Sequence, residues 1–320
     1  MTRCMPGVKK RSSKASKESL SILRLLTRVA LPPGQRGAFD HGDVDSKSGR
    51  VFVAHTDFGT VDVIDGESLE VIAVIDGCPE GSGVLCTDQR RLVFAASRGS
   101  GKILLIDSVQ TRAVGEVAVG PKPNGLAYAP SADLLLVADV DAADQAARLI
   151  RVEHREVISR IPLPGRPRWC VFDANASRFL VNIREPAGLI SLSLSGEIAD
   201  SWPISSTGPH GLDIDHERGR AFVACDGGQL IVIDLADGRE LEGIPISGSP
   251  DAIWFNPVRQ HLYVAVGVPG IIDVIDTERG TLVDSIVTEP GAHTTAFDVK
   301  RQRLYVFLPD SCAADVLEET

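Results

Sequence analysis

The chain reads as an all-β protein: a seven-bladed β-propeller of four-stranded antiparallel blades, with the ring closed by an N-terminal strand that completes the C-terminal blade. Three observations predict this. A strand-and-turn phrase recurs as GTVDVIDGESLE at 59–70, GKILLIDSVQTR at 101–112, GQLIVIDLADGRE at 228–240 and GIIDVIDTERGT at 270–281. Its closing aspartates, Asp65 and Asp107, then Asp234 and Asp276, form two pairs, each 42 residues apart. A repeat of about 40–45 residues is the length of a four-stranded propeller blade. A second phrase aligns in seven copies: RVFVAHT (50–56), RLVFAAS (91–97), LLLVADV (134–140), RFLVNIR (178–184), RAFVACD (220–226), HLYVAVG (261–267) and RLYVFLP (303–309).

Along the chain, residues 1–19 come first as a basic arm. KKRSSKASK at 9–17 has almost nothing apolar to bury and reads as disordered. LRLLTRVALP at 23–32 has strand character and precedes the first full repeat. The single propeller domain is then expected over 20–320, with repeats starting near 39, 79, 122, 166, 208, 249 and 291. Each repeat follows one plan, clearest in the fifth: PHGLDID, GRAFVACD, GQLIVID and GRELEGIPI between 209 and 246. Alternating apolar and polar residues within these runs mark strands with one face buried. The aspartate ending each third strand suits the turn that follows, because its carboxylate can accept turn N–H groups. Between Asp107 and Asp234, ARLIRVEHREV at 147–157 and GLISLSLSGEI at 188–198 are worn copies of the first phrase. The last repeat holds only three strands, HTTAFDV, RLYVFLP and AADVLEE. Residues 22–32 are expected to supply its fourth and so remove an open sheet edge.

Charge narrows the function. The chain carries a net −10, although residues 1–28 hold eight basic side chains against Glu18. The body is therefore more acidic than the total, which argues against a nucleic-acid groove on the domain. No apolar run approaches the ~18 residues of a membrane helix, and Arg24 and Arg28 interrupt the nearest one. The same arginines spoil it as a leader h-region, so the expected location is the cytoplasm. The six cysteines, Cys4, Cys78, Cys86, Cys170, Cys225 and Cys312, contain no C-x-x-C pair. Cys86, Cys170 and Cys225 read as buried apolar residues. Spacing leaves open whether Cys78 and Cys86 pair.

The second-strand phrases of the LYVA type (Leu262–Ala265, Leu304–Phe307), followed by G-x-x-V-I-D, resemble the YVTN-repeat, YncE-like β-propellers. The likeness spans roughly 20–320. AFDHGDVDSKSGRVFVAH at 38–55 and PGAHTTAFDVKRQRLYVFLP at 290–309 are similar to a bacterial subgroup of that family. The resemblance implies the propeller fold and a binding or scaffold role more than an enzyme, and family members are often exported. These residues build blades, so the resemblance assigns no site.

Candidate site residues come from position within the repeat. Loops entering innermost strands and loops leaving second strands share one face of a propeller and converge on its channel. Twelve residues before the aligned second-strand positions Phe52, Val93, Leu136, Leu180, Phe222, Tyr263 and Tyr305 stand Asp40, Gly81, Asn124, Arg168, His210, Asp251 and His293. His41 and Glu80 lie beside the first two. The second-strand exits add His55, Ser97, Arg98, Asp139, Arg184 and Asp226. The expected ligand-binding set is Asp40, His41, His55, Glu80, Asn124, Arg168, His210, Asp226, Asp251 and His293. The expected function is non-enzymatic recognition of a small ligand or protein partner by a monomer, with no cofactor. The alternative is a metal-assisted, lactonase-like hydrolase or lyase. Imidazole and carboxylate donors suit a divalent metal, and His210, Asp251 and His293, on adjacent repeats, form its best ligand set. His210 or His293 is also the natural general base near neutral pH. No phosphate loop is present, because RGSGK at 98–102 lacks the required spacing. Trp169 and Trp254 fall in innermost strands, as core residues or channel plugs.

Overall fold

The computed structural model describes Met1 and residues 21–319. Apart from Met1, the basic arm expected over 1–19 lies outside the described residues. Among them are seven four-stranded antiparallel sheets and no helix. The first blade shows the plan: β2 (Phe39–Asp45), β3 (Arg50–His55), β4 (Thr60–Asp65) and β5 (Val71–Asp76), each paired with the next. The other innermost strands are Gly81–Thr87, Pro123–Ala129, Pro167–Asp173, Pro209–Asp215, Ser249–Asn256 and Thr294–Asp298. Each touches the innermost strands on both sides, and the last touches the first, so they ring one axis. Outermost strands are mostly exposed and second strands almost wholly buried, so the core is a series of layers between blades. One cluster joins Phe222, Leu230 and Ile244 of the fifth blade to Phe255, Leu262 and Val264 of the sixth. Another joins Phe39 and Val51 of the first blade to Tyr305 and Phe307 of the last. No blade buries its faces alone, which is why the chain repeats itself.

The ring closes through the N-terminal strand. β1 (Leu23–Ala30) pairs antiparallel with β28 (Ala313–Glu319), completing a sheet with β26 (Thr294–Asp298) and β27 (Arg303–Leu308). Leu23, Val29 and Leu31 are buried on closing. Arg28 grips Asp315 with two nitrogens at 2.6 and 2.8 Å. The Ile22 N–H and the Ser21 hydroxyl both donate to Asp284 of the sixth blade at 2.8 Å.

The repeated aspartates act as the turn chemistry requires. Asp65 Oδ1 accepts from the backbone N–H groups of Glu67 and Ser68, and Asp107 Oδ1 from Val109 and Gln110. Asp276 Oδ1 accepts from Glu278 and Arg279 in the same way. Four residues after each aspartate the chain takes a left-handed conformation, at Leu69, Thr111, Gly238 and Gly280, with φ of 57°, 48°, 75° and 64°. A β-branched residue is strained there. Thr111→Gly is expected to stabilise the protein by roughly 0.5–1 kcal/mol, the relief of strain outweighing the added freedom of the unfolded chain. Urea denaturation measures this, and a loss of stability would contradict it.

Glycines set the spacing at the axis. A Cβ on Gly83, Gly125 or Gly211 would overlap the backbone carbonyl of Asn124, Arg168 or Asp251 on the following blade. Side-chain links add to this backbone approach: Asp43 accepts from Cys86 N–H, and Asp213 from Phe255 N–H, both at 2.7 Å. Cys78, Cys86, Cys170, Cys225 and Cys312 are free thiols, so Cys78 and Cys86 do not pair. Burial pushes the Cys78 thiol up to about 12. Among the described residues no helix is long and apolar enough to cross a membrane.

Candidate functional site

The mouth of the channel is built by one device used repeatedly. At the N-terminal end of the innermost strands of the first six blades, the pairing with the second strand slips through a β-bulge. Phe39 pairs with His55 but the next pair is Gly42 with Val53, leaving Asp40 and His41 in the bulge. Arg168 and Trp169 lie between the pairs Pro167–Ile183 and Cys170–Val181. His210 lies between Pro209–Cys225 and Gly211–Ala224, and Asp251 between Pro250–Val266 and Ile253–Val264. A bulge frees a residue from the ladder and re-aims its side chain, which is how a regular sheet presents irregular chemistry. His293 immediately precedes the last innermost strand.

Three imidazoles surround one carboxylate. Asp251 has His210 Nε2 at 3.2 Å and His41 Nε2 at 3.9 Å from Oδ1, and His293 Nε2 at 3.6 Å from Oδ2. These groups come from the fifth, first, seventh and sixth blades. His210 is held from behind: its Nδ1 lies 3.1 Å from Asp226 Oδ1, which also accepts from Ser249 Oγ at 2.9 Å. Arg184 Nη2 stands 3.1 Å from the other Asp226 oxygen. His293 Nδ1 donates to the Gly291 carbonyl at 2.7 Å, which fixes its ring with Nε2 toward Asp251. His41 stacks on Trp169, ring centroids 3.8 Å apart, joining the first and fourth blades. Asp40 is paired with Arg98 Nη2 at 2.7 Å.

The charges are strongly perturbed. Burial works against protonated His210, but the Asp251 charge and the hydrogen bonds that the ring donates to Asp226 and Asp251 outweigh it and raise its pKa to about 9. His41 goes the other way: burial lowers it, only partly opposed by Asp40 and Asp251. Asp251 is itself buried, yet the neighbouring imidazoles hold it well below the ordinary carboxylate range. A raised imidazole pKa contributes stability that is complete below about 6.5 and is lost as pH rises through about 9. We expect unfolding free energy to fall by on the order of 2 kcal/mol between pH 6.5 and 10 through this group. His210→Gln should remove that part of the slope in denaturant titrations; an unchanged slope would refute the assignment.

Arginines line the side of the mouth formed by blades two to five. Arg166 and Arg168 have no carboxylate within ion-pair distance among the described residues, and the Nε of each is buried without an acceptor. Burial lowers both, followed by the charge of Arg184 for Arg166 and the charge of Arg166 for Arg168. Arg166, Arg184, Thr207 and Asp226 border a groove of about 860 Å³. At the opposite end of the channel, the C-terminal halves of the same strands enclose a second space of about 470 Å³, bordered by Trp169, Trp254, Asp43 and Asp213. Burial pushes Asp43 up to about 7 and Asp213 to about 6.

The structure thus brings together His41, Arg168, His210, Asp226, Asp251 and His293, with Asp40 at their edge. Asn124 is buried at its own bulge. Glu80 is exposed in the loop before the second blade, its carbonyl accepting from Arg98 N–H at 3.2 Å. In that blade Leu85 pairs with Phe94, so the position equivalent to His210 is Ser82, one beyond the Gly81 that counting from Val93 selects. Ser82 is buried and donates to the Pro123 carbonyl at 2.9 Å. His55 stands apart: it is fully buried, 2.8 Å from Asp62 and stacked on Phe39 at 4.1 Å. Arg166 escaped positional counting because it precedes the strand. Its signal was the run Arg-Pro-Arg-Trp at 166–169, two cations about a fixed turn. Among the described residues no group of three or more His, Cys, Asp and Glu side chains is arranged to hold a metal ion.

No family model matches the chain, and no curated protein matches it in sequence. Solved structures do. A chain of hydrazine synthase from Kuenenia stuttgartiensis superposes with a TM-score of 0.80 at 14% identity, over 91% of this chain and 97% of that one. A chain of the mitotic checkpoint complex superposes with a TM-score of 0.80 at 11% identity, over 99% and 98%. At such identities the likeness concerns backbone architecture alone, and it agrees with the seven sheets described above: this chain is a seven-bladed β-propeller.

Proposed function

We propose that this propeller is a non-enzymatic binding protein that recognises a small polar ligand at the channel mouth, and that it belongs with the YVTN-repeat, YncE-like propellers its strand phrases resemble. One observation carries the reading. Four blades contribute His41, His210, Asp251 and His293 to a single cluster, with the ring orientation of His210 and His293 fixed from behind. A polar cluster held this rigidly at the end of a concave channel is pre-organised for recognition, since little side-chain freedom is lost on binding. The acidic body disfavours nucleic acid as the partner.

The test is a thermal-shift screen of small metabolites, with each hit titrated against wild type, His210→Ala and Asp251→Asn. The reading requires at least one saturable ligand whose binding is lost in the mouth variants. Hits that bind those variants as tightly as wild type would overturn it. A metal-assisted hydrolase using His210, Asp251 and His293 is the second reading; the donor types suit it, although among the described residues they are not arranged to hold a metal ion. Metal analysis of the purified protein separates the two. Stoichiometric metal that disappears in His210→Ala would replace the first reading with the second.

A further inference from the structure

The carboxylates within the mouth are already engaged. Asp40 is taken by Arg98, Asp226 by Arg184 and His210, and Asp251 by three imidazoles. Arg166 and Arg168 are left over. Neither makes an ion pair or a side-chain hydrogen bond among the described residues, while their Nε atoms are sealed from solvent. The remaining guanidinium nitrogens of both are open to water. Glu80 and Glu185 stand on the rim as exposed acids and do not reach either arginine to pair with it. A cation partly withdrawn from water and left without a counter-charge carries a cost that a bound anion would relieve.

Position makes the pair more than a loose surface charge. Arg166 and Arg168 flank Pro167, whose φ is fixed by its ring and which pairs with Ile183 in the sheet. The Arg166 carbonyl is held by Arg184 N–H at 2.8 Å, and the Arg168 carbonyl lies against Gly125 of the preceding blade. Both side chains therefore spring from anchored backbone. Arg98 and Arg184 are close enough for their charges to lower Arg166 further. Four guanidiniums thus gather at one side of the mouth of a chain whose net charge is −10. The groove of about 860 Å³ is bordered by Arg166 and Arg184 and adds Thr207 and Gln145 as neutral hydrogen-bonding groups, with Glu185 and the already paired Asp226 as its acids; Arg168, two residues on from Arg166, stands just outside that lining. That space is concave and of metabolite size rather than a flat track for a polymer.

We propose that the mouth takes a small anion bearing at least two charged oxygens, a dicarboxylate or a phosphate ester, with Arg166 and Arg168 as the unpaired forks that receive it. The planar guanidinium matches paired oxygens of either group, and Arg184 closes the far side of the groove. This rests on the mouth being the binding site and adds the class of its ligand.

Isothermal titration calorimetry with succinate, citrate, inorganic phosphate and sulfate, at constant ionic strength, tests it on wild type, Arg166→Gln and Arg168→Gln, each checked for an unchanged circular-dichroism spectrum. Saturable binding of at least one probe is expected, weakened at least about tenfold in each variant, since a charge-assisted pair contributes that much or more. Arg166→Lys should restore only part of the loss, as charge returns without the fork. Preference between the two carboxylates and the two oxyanions identifies which source of charged oxygens the site favours. If Arg168→Gln does not fold, Arg166→Gln, at the loop entering the strand, still decides the matter. No saturable binding of any probe up to 10 mM (roughly the −3 kcal/mol limit of a useful contact) overturns the proposal, as does equal binding by wild type and both variants. Should neutral or cationic compounds bind wild type and both arginine variants but not His210→Ala, the anion class fails while the mouth remains the site.

Discussion

Removal of residues 1–34 is expected to lower the melting temperature by roughly 10 °C or to abolish soluble expression. The estimate follows from burial. Leu23, Val29 and Leu31 are at most 6% exposed, and at about 1.5–3 kcal/mol for each side chain their loss costs on the order of 5 kcal/mol. The deletion also breaks the Arg28–Asp315 pair and the two bonds to Asp284. It leaves β28 as an unpaired edge, open to pairing with other chains. For a domain of this size a few kcal/mol moves the midpoint by several degrees at least. Differential scanning calorimetry of the shortened chain measures this, and an unchanged midpoint would show that closure by β1 contributes little.

The second large effect is expected at Asp251. Asp251→Asn keeps the shape and removes the charge that three imidazoles face. With Asp251 only 22% exposed, we expect a loss of about 2–4 kcal/mol at pH 7, because the partners remain in place while their counter-charge is gone. The size of the loss changes with pH. His210 loses the main reason for its raised pKa, so its titration should move from about 9 toward the ordinary imidazole value. The stability deficit should then shrink as pH rises through 9, where wild-type His210 is itself neutral. NMR titration of the His210 ring together with urea unfolding at pH 7 and 9.5 gives both readings. A deficit independent of pH would mean that Asp251 acts through packing or hydrogen bonds rather than charge.

The architecture was legible in the sequence because blade-building residues recur at a fixed spacing. Asp65, Asp107, Asp234 and Asp276 repeat for a local reason, the turn amides their carboxylates accept, and a local reason leaves a local mark. The site was legible only in part. Counting twelve residues back reached Arg168, His210, Asp251 and His293, since the bulge occupies the same place in most blades. It missed Ser82 because RLVFAAS aligns by its arginine, whereas the ladder is set by Phe94 opposite Leu85. It grouped His55 with the mouth because sequence gives depth along a strand but not enclosure by a neighbouring loop; Phe39 and Phe58 cover that ring. The contact between His41 and Trp169 spans half the ring, and no pattern in one strand announces a partner three blades away.

The glycines at the axis carry a consequence for how such a molecule changes over time. Gly83, Gly125 and Gly211 each pack against the peptide oxygen of the mouth residue on the next blade, so the scaffold senses the main chain of Asn124, Arg168 and Asp251 and hardly their side chains. Frame and chemistry are therefore written in separate positions. Substituting a mouth side chain leaves this backbone seat untouched, so that its cost falls on the charge and packing of the mouth alone, whereas altering the adjoining glycines disturbs the seating without teaching the opening anything new.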